Sequence, residues 1–164
     1  MRRVAASPNH PSLHRIAAQR TLHLIDVDNL LGDQSCTEDH RIRTMFETYR
    51  QVSSFTEGDQ VVVATGCNAR HVLAVEAAWP SVCHRWRAGQ DGADMALLEE
   101  SDWAASTGRF ARVVIGSGDR IFLAAMDRLR AADITVDFVS LRRTLARAIA
   151  TRAHGNVRFL PKAV

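Results

Sequence analysis

The chain has 164 residues, 46% of them hydrophobic and 24% charged, which fits one globular domain with a sizeable core and excludes a disordered or fibrous chain. No run approaches the roughly 18 apolar residues of a membrane span. The net charge of +3 is unevenly spread: residues 1–20 and 142–164 hold four and six basic groups and no acid, leaving 11 basic and 18 acidic residues over 21–141.

An acidic body with basic ends suits a site that gathers cations beside a track for a polyanion. Three cysteines, Cys36, Cys67 and Cys83, match neither a paired-ligand zinc pattern nor a disulfide scaffold, so a reducing cytoplasm is expected. The Arg-containing start lacks the apolar core of a secretory signal.

Residues 1–20, with Pro8 and Pro11 and little periodicity, read as a loose basic arm. Residues 21–26 (TLHLID) form an apolar run of strand length that ends in acid. A helix follows over about 37–53, where Met45, Phe46, Tyr49 and Val52 recur on one side. QVVVATG (60–66) reads as a fully buried strand, and Asn68 caps a helix that stops before Pro80. SVCHRW (81–86) is a weaker third strand, and a helix over about 91–106 ends at Gly108. ARVVIGSG (111–118) is a buried strand entering a glycine turn. A periodic helix over 120–132, a strand at 134–139, a helix over about 142–153 and a short strand at VRFL complete the chain.

Five alternations of β and α predict an α/β domain over 21–164. It is a three-layer, Rossmann-like arrangement with a parallel sheet of about five strands and helices on both faces. In such sheets ligands bind beyond the carboxyl ends of the strands, so polar groups placed there against the apolar pattern are the candidates.

Three stand out. Asp26 still belongs to the first strand, and an Asx turn accounts for Asp28 and Asn29 better than for it. Asp94 opens a helix in which Leu97, Leu98, Ser101 and Ala105 all fall within about 60° of it, the stripe that faces the sheet. A carboxylate there needs cations or donors. Its flanking acids Asp91, Glu99, Glu100 and Asp102 read as a cap or as solvated groups. Asp119 follows a glycine turn that could approach a ligand, or simply caps the next helix.

Asp26, Asp94 and Asp119 belong to separate elements but converge on one crevice, where unneutralised carboxylates repel one another. A hard divalent cation, Mg²⁺ or Mn²⁺, resolves that repulsion, and its chemistry is phosphodiester hydrolysis with basic residues holding the backbone. Thr65 and Ser117, at strand ends, could position a water or a phosphate. The histidines show no ligand spacing, so His71 and His84 read as ordinary helix and strand residues. The tryptophans read as core or interface groups, with Trp86 also able to stack on a base.

LIDVDNL (24–30), GADMALLEE (92–100) and VVIGSGDRIF (113–122), in that order, resemble the NYN domains of the PIN-like nuclease superfamily over residues 22–140. The resemblance implies a sheet of order 3-2-1-4-5, an acidic cluster binding Mg²⁺ or Mn²⁺, and ribonuclease activity on single-stranded or structured RNA. It implies a role for Asn29 beside Asp26, pairs Glu100 with Asp94, and matches Ser117, Gly118 and Asp119 to the third motif. Where members commonly have a second acid after that motif, Ile121 stands here, and Asp28 is the candidate replacement charge.

The implied mechanism has water attacking phosphorus near a metal held by Asp26, Asp94 and Asp119. Asn29 orients substrate or a ligand, and Glu100 or Asp28 assists from outside. A homodimer would lengthen the basic track. Two alternatives stay open: a nucleic-acid-binding or dimerising domain with a decayed site, and a haloacid dehalogenase-like phosphatase suggested by DVDNL. The phosphatase lacks its expected lysine, since Lys162 is the only one, and has Leu30 and Leu123 at motif positions.

Overall fold

A computed structural model describes residues 20–161. The basic arm expected over 1–20 therefore lies outside the described residues, save Arg20, which opens the first strand. The chain runs β1 (Arg20–Asp26), α1 (Val27–Leu31), α2 (Asp39–Ser53), β2 (Gln60–Gly66), α3 (Ala69–Ala78) and β3 (Cys83–Arg87). It continues through α4 (Gly92–Thr107), β4 (Phe110–Gly116), α5 (Phe122–Ala131), β5 (Thr135–Ser140), α6 (Arg147–Arg152) and β6 (Val157–Phe159).

All six strands lie in one parallel sheet of order β3-β2-β1-β4-β5-β6. The count exceeds the expected five because the short tail strand does pair, Phe138 facing Val157 and Ser140 facing Phe159. From β1 the chain first builds outward through β2 and β3. It then crosses back to lay β4 on the other side of β1, so the strand order reverses beside β1, where ligand crevices form in such sheets.

Alternation along the strands divides the core in two. Leu22, Leu24, Val62, Val113, Ile115, Val136 and Phe138 pack with residues of α4, α5 and α6 on one face. Ile25, Val61, Val63, Val114 and Val139 pack with residues of α1, α2 and α3 on the other. Strands covered on both sides must be apolar at every position, which is why these runs are continuous. His23 interrupts β1, but its ring nitrogens reach the Tyr49 hydroxyl at 3.0 Å and the Asp59 carboxylate at 3.3 Å.

Two elements differ from expectation. The turn expected after Asp26 is a single helical turn, α1, closed by Gly32 in the left-handed region at φ 65°. The helix expected over 142–153 is confined to Arg147–Arg152. Before it, the Ala146 amide donates to the Gly118 carbonyl at 2.8 Å, so the preceding segment braces the turn after β4 instead of joining the helix. The three cysteines are free. Among the described residues, no helix is long and apolar enough to cross a membrane.

Candidate functional site

The end of β1 and the turn of α1 bring three polar residues to the carboxyl edge of the sheet and send them in three directions. Asp26 shares the face of Leu22 and Leu24, towards α4. It also caps α1, accepting the Asn29 amide at 3.1 Å, while the buried Ser117 hydroxyl donates to its other oxygen at 3.1 Å. Asn29 turns towards β4, where its side-chain oxygen accepts the Gly118 amide at 3.0 Å. Asp28 turns the opposite way, towards β2, and accepts the Gly66 amide at 2.9 Å.

Asp94 enters from α4. That helix starts tight against β3, because Gly92 leaves no room for a Cβ above the Arg87 carbonyl. Asp91, expected to cap it, takes the N-cap position in the left-handed region at φ 58° and makes no side-chain capping bond. Of the expected inward stripe, Asp94, Leu97 and Ser101 are buried while Leu98 and Ala105 are half-buried, because the buried face is centred towards Ala93, Ala96 and Ala104. Asp94 is only 9% exposed, its carboxyl lies within hydrogen-bonding reach of Asp26, and its Oδ1 is buried with no donor.

The electrostatics follow from that placement. Burial and then the charge of Asp94 raise the Asp26 carboxyl well above the usual range, and the bonds from Asn29 and Ser117 offset only part of this. Asp94 rises to about 6, chiefly through burial, aided by the charges of Asp119, Asp91 and Asp28 and opposed by its contact with Asp26. Two neighbouring buried carboxyls cannot both ionise cheaply, and without a cation they retain a proton between them to higher pH than either would alone.

Asp119 stands half-buried at the rim. One of its oxygens accepts the Ile121 amide at 2.9 Å, and its carbonyl accepts the Phe122 amide as α5 begins. It therefore does serve the turn, and its charge is also felt at Asp94. Among the described residues, no three Asp, Glu, His or Cys side chains close on one point as a ready cage for a metal. The expected convergence of three carboxylates thus reduces to a contact pair, Asp26 and Asp94, with Asp119 beside it and partly spent on its own turn.

Two assisting residues are placed otherwise than expected. Glu100 accepts from Arg85 of β3 at 2.9 Å, an ion pair with no bond to the aspartates, because it lies on the flank of α4 that faces β3. Asp28 has both oxygens occupied, one by Gly66 and the other by His71 Nε2 at 2.9 Å, so it is a strut and not a replacement ligand. Thr65 is buried at the end of β2, one residue before the amide that Asp28 holds.

His71 is the residue sequence reasoning passed over. It is fully buried, with Nδ1 against the Cys36 carbonyl and Nε2 against Asp28. A carbonyl on one nitrogen and a carboxylate on the other both call for N–H, so the ring favours its charged form. Burial opposes that charge, but the bonds to Asp28 and Cys36 prevail and raise its pKa. Its spacing of four from Val75, the other buried residue of α3, was the available signal.

No protein family, curated protein or solved structure matches the chain. The functional reading therefore stands on its residues and their geometry.

Proposed function

We propose that this protein is a Mg²⁺- or Mn²⁺-dependent ribonuclease, an NYN-like member of the PIN-like class, cutting phosphodiester bonds at the carboxyl edge of its sheet. The observation that carries the reading is the bare, buried Oδ1 of Asp94 beside Asp26. Buried polar atoms almost always find a partner. A carboxylate oxygen left without one, next to a second carboxylate, is suited to a cation. The donor set is all oxygen, which fits a hard divalent ion. Mg²⁺ commonly keeps several waters and needs only one or two carboxylates, so a pair suffices where no closed cage exists.

Asp26 and Asp94 would hold the ion, with Asp119 contributing charge from the rim. When bound, such an ion activates water and neutralises charge developing on the phosphate. The chain's own part is positional. The Ser117 hydroxyl and the Asn29 amide fix the Asp26 carboxylate from two sides. Asn29 at the same time ties α1 to the Gly118 turn, so the elements that carry Asp26 and Asp119 keep their spacing. The Asp28 strut sets the remaining side of α1 against β2. A haloacid dehalogenase-like phosphatase is less well supported, because its second acid, at Asp28, is taken up by Gly66 and His71. Ribose over deoxyribose rests on the family resemblance.

The test is cleavage of labelled single-stranded and hairpin RNA in Mn²⁺ or Mg²⁺, beside an EDTA control and the Asp94→Asn and Asp119→Asn proteins. Metal-dependent cutting that Asp94→Asn abolishes supports the reading. RNA binding without cutting turns it towards a binding domain whose site Ile121 has weakened. Cutting unchanged by either substitution places the chemistry elsewhere.

A further inference from the structure

At the same carboxyl edge as the acidic pair, but on the α2 face of the sheet, lies a groove lined by none of Asp26, Asp94 and Asp119. It is an open groove of about 1140 Å³ between α2 and the segments leaving β5 and β6. Leu30, Leu31, Met45, Leu141 and Phe159 give it an apolar floor, and Arg142 and Arg143 stand on its rim. The Arg142 guanidinium lies 4.3 Å over the Phe159 ring, and Arg143 packs across Gly32, where a Cβ would strike it. The groove's other arginine, Arg41, is claimed by Glu38 and Asp33, whereas among the described residues neither Arg142 nor Arg143 pairs with a carboxylate.

Groove and acidic pair share a frame. One turn of helix, α1, sends Asp28 and Asn29 to the site and Leu30 and Leu31 to the groove floor. The segment bearing Arg142 and Arg143 is fastened to the turn that precedes Asp119. The Ala146 amide donates to the Gly118 carbonyl, and Gly118 sits so close under Ser140 and Thr144 that a Cβ would meet the Ser140 hydroxyl at 2.5 Å. All of this lies at the same edge of the sheet, since every strand points the same way.

We propose that this groove holds a single-stranded stretch of RNA that runs over the carboxyl edge to the scissile phosphate, with bases on the apolar floor and the Arg142–Phe159 stack, and phosphates on Arg142 and Arg143. The proposal rests on the ribonuclease reading for what happens at the acidic pair, but binding is separable from cleavage. Its basis is complementarity: flat apolar bases on a polyanionic chain match an apolar floor rimmed by two guanidinium groups that no carboxylate among the described residues claims. A purely apolar peptide would leave both arginines unanswered.

The experiment uses the full chain carrying Asp94→Asn, so that RNA survives, and reads anisotropy of a fluorescein-labelled single-stranded RNA across a salt series. Adding Arg142→Ala or Arg143→Ala weakens binding about fivefold each at low salt and lowers the salt slope by about 0.7 per arginine, whereas Arg128→Ala on α5 changes neither. Photocrosslinks from 4-thiouridine RNA fall on peptides containing Leu31 or Phe159. Unchanged affinity and slope in the double variant, crosslinks confined to other surfaces, or absence of RNA binding overturns the proposal. So does capture of an acidic, apolar peptide in preference to RNA. If the arginine effects appear but the unsubstituted chain cuts no RNA, the groove stands and the nuclease reading falls. If it cuts with KM indifferent to both arginines, the nuclease stands and the groove falls.

Discussion

Asp28 and Asp94 are equally buried, each 9% exposed, at the same edge of the same sheet, yet their circumstances are opposite. Asp28 has a donor for each oxygen: the Gly66 amide on one side and His71 on the other, itself held by the Cys36 carbonyl. Asp94 has a carboxyl for a neighbour and an oxygen with no donor at all. Burial alone therefore does not separate a satisfied acid from an unsatisfied one; the inventory of partners does. A satisfied carboxylate braces the scaffold. One left short of donors costs stability, which a cation can return.

The sharpest way to break the contrast is to neutralise one acid and strip the other of its partner. Asp94→Asn keeps the shape and removes the charge, so the proposed metal-dependent RNA cleavage should fall on the order of 10³-fold, about 4 kcal/mol of barrier. Single-turnover assays in Mg²⁺ check this, and full activity in the variant would remove Asp94 from the site. On the other side, His71→Ala strips Asp28 of its charged partner and leaves a buried carboxylate half-answered. Stability should drop by about 3–5 kcal/mol in denaturant unfolding. A loss below 1 kcal/mol would mean that water replaces the imidazole and that the strut is not structural.

The sequence made one side of this contrast easier to read than the other. Asp94 was legible because helical spacing is short-range: the leucines three and four positions on, with the small Ser101 seven on, fix which way it points, whatever the helix packs against. The strands were legible for the same reason, their apolar runs being local. The Asp28–His71 bond joins residues 43 positions apart, and depends on how closely α3 settles against β2, which no local pattern encodes. The shortened final helix has the same origin. Its spacing reads as helical from Arg142, but the Ala146 amide is taken by Gly118, 28 positions earlier. Glu100 shows the reverse error, since a match to a motif placed it near Asp94 while its own helical angle already pointed it elsewhere, onto Arg85.

A smaller effect tests whether the strain at Asp94 is real. Its pKa, raised from 3.8 to about 6, means that the native state holds a proton which the unfolded chain gives up above about pH 4. That contribution is complete below the unfolded value and is lost as pH rises through about 6, for a total on the order of 2–3 kcal/mol. Asn cannot titrate, so in EDTA the Asp94→Asn protein should match the parent near pH 4 and exceed it in stability by pH 8. Adding Mg²⁺ should stabilise the parent alone and close the gap. Thermal melts across that range decide it, and a gap that stays constant with pH would mean that burial does not hold a proton on Asp94.

The smallest effect belongs to an acid that is neither buried nor short of partners. Asp102, eight residues along α4 from Asp94, pairs with Arg128 at 2.7 Å, and both side chains are about half exposed. Solvent screens the pair, and either group released from the other finds water at once. Asp102→Ala should therefore change unfolding stability by less than about 1 kcal/mol and leave cleavage and the Mg²⁺-dependent stabilisation intact. It removes a negative charge from the same helix as Asp94→Asn does, so it separates a local effect at the carboxyl pair from a general response to net charge. A loss of cleavage on Asp102→Ala comparable to that on Asp94→Asn would show that the acidity of α4 as a whole matters, not the oxygen that Asp94 leaves without a donor.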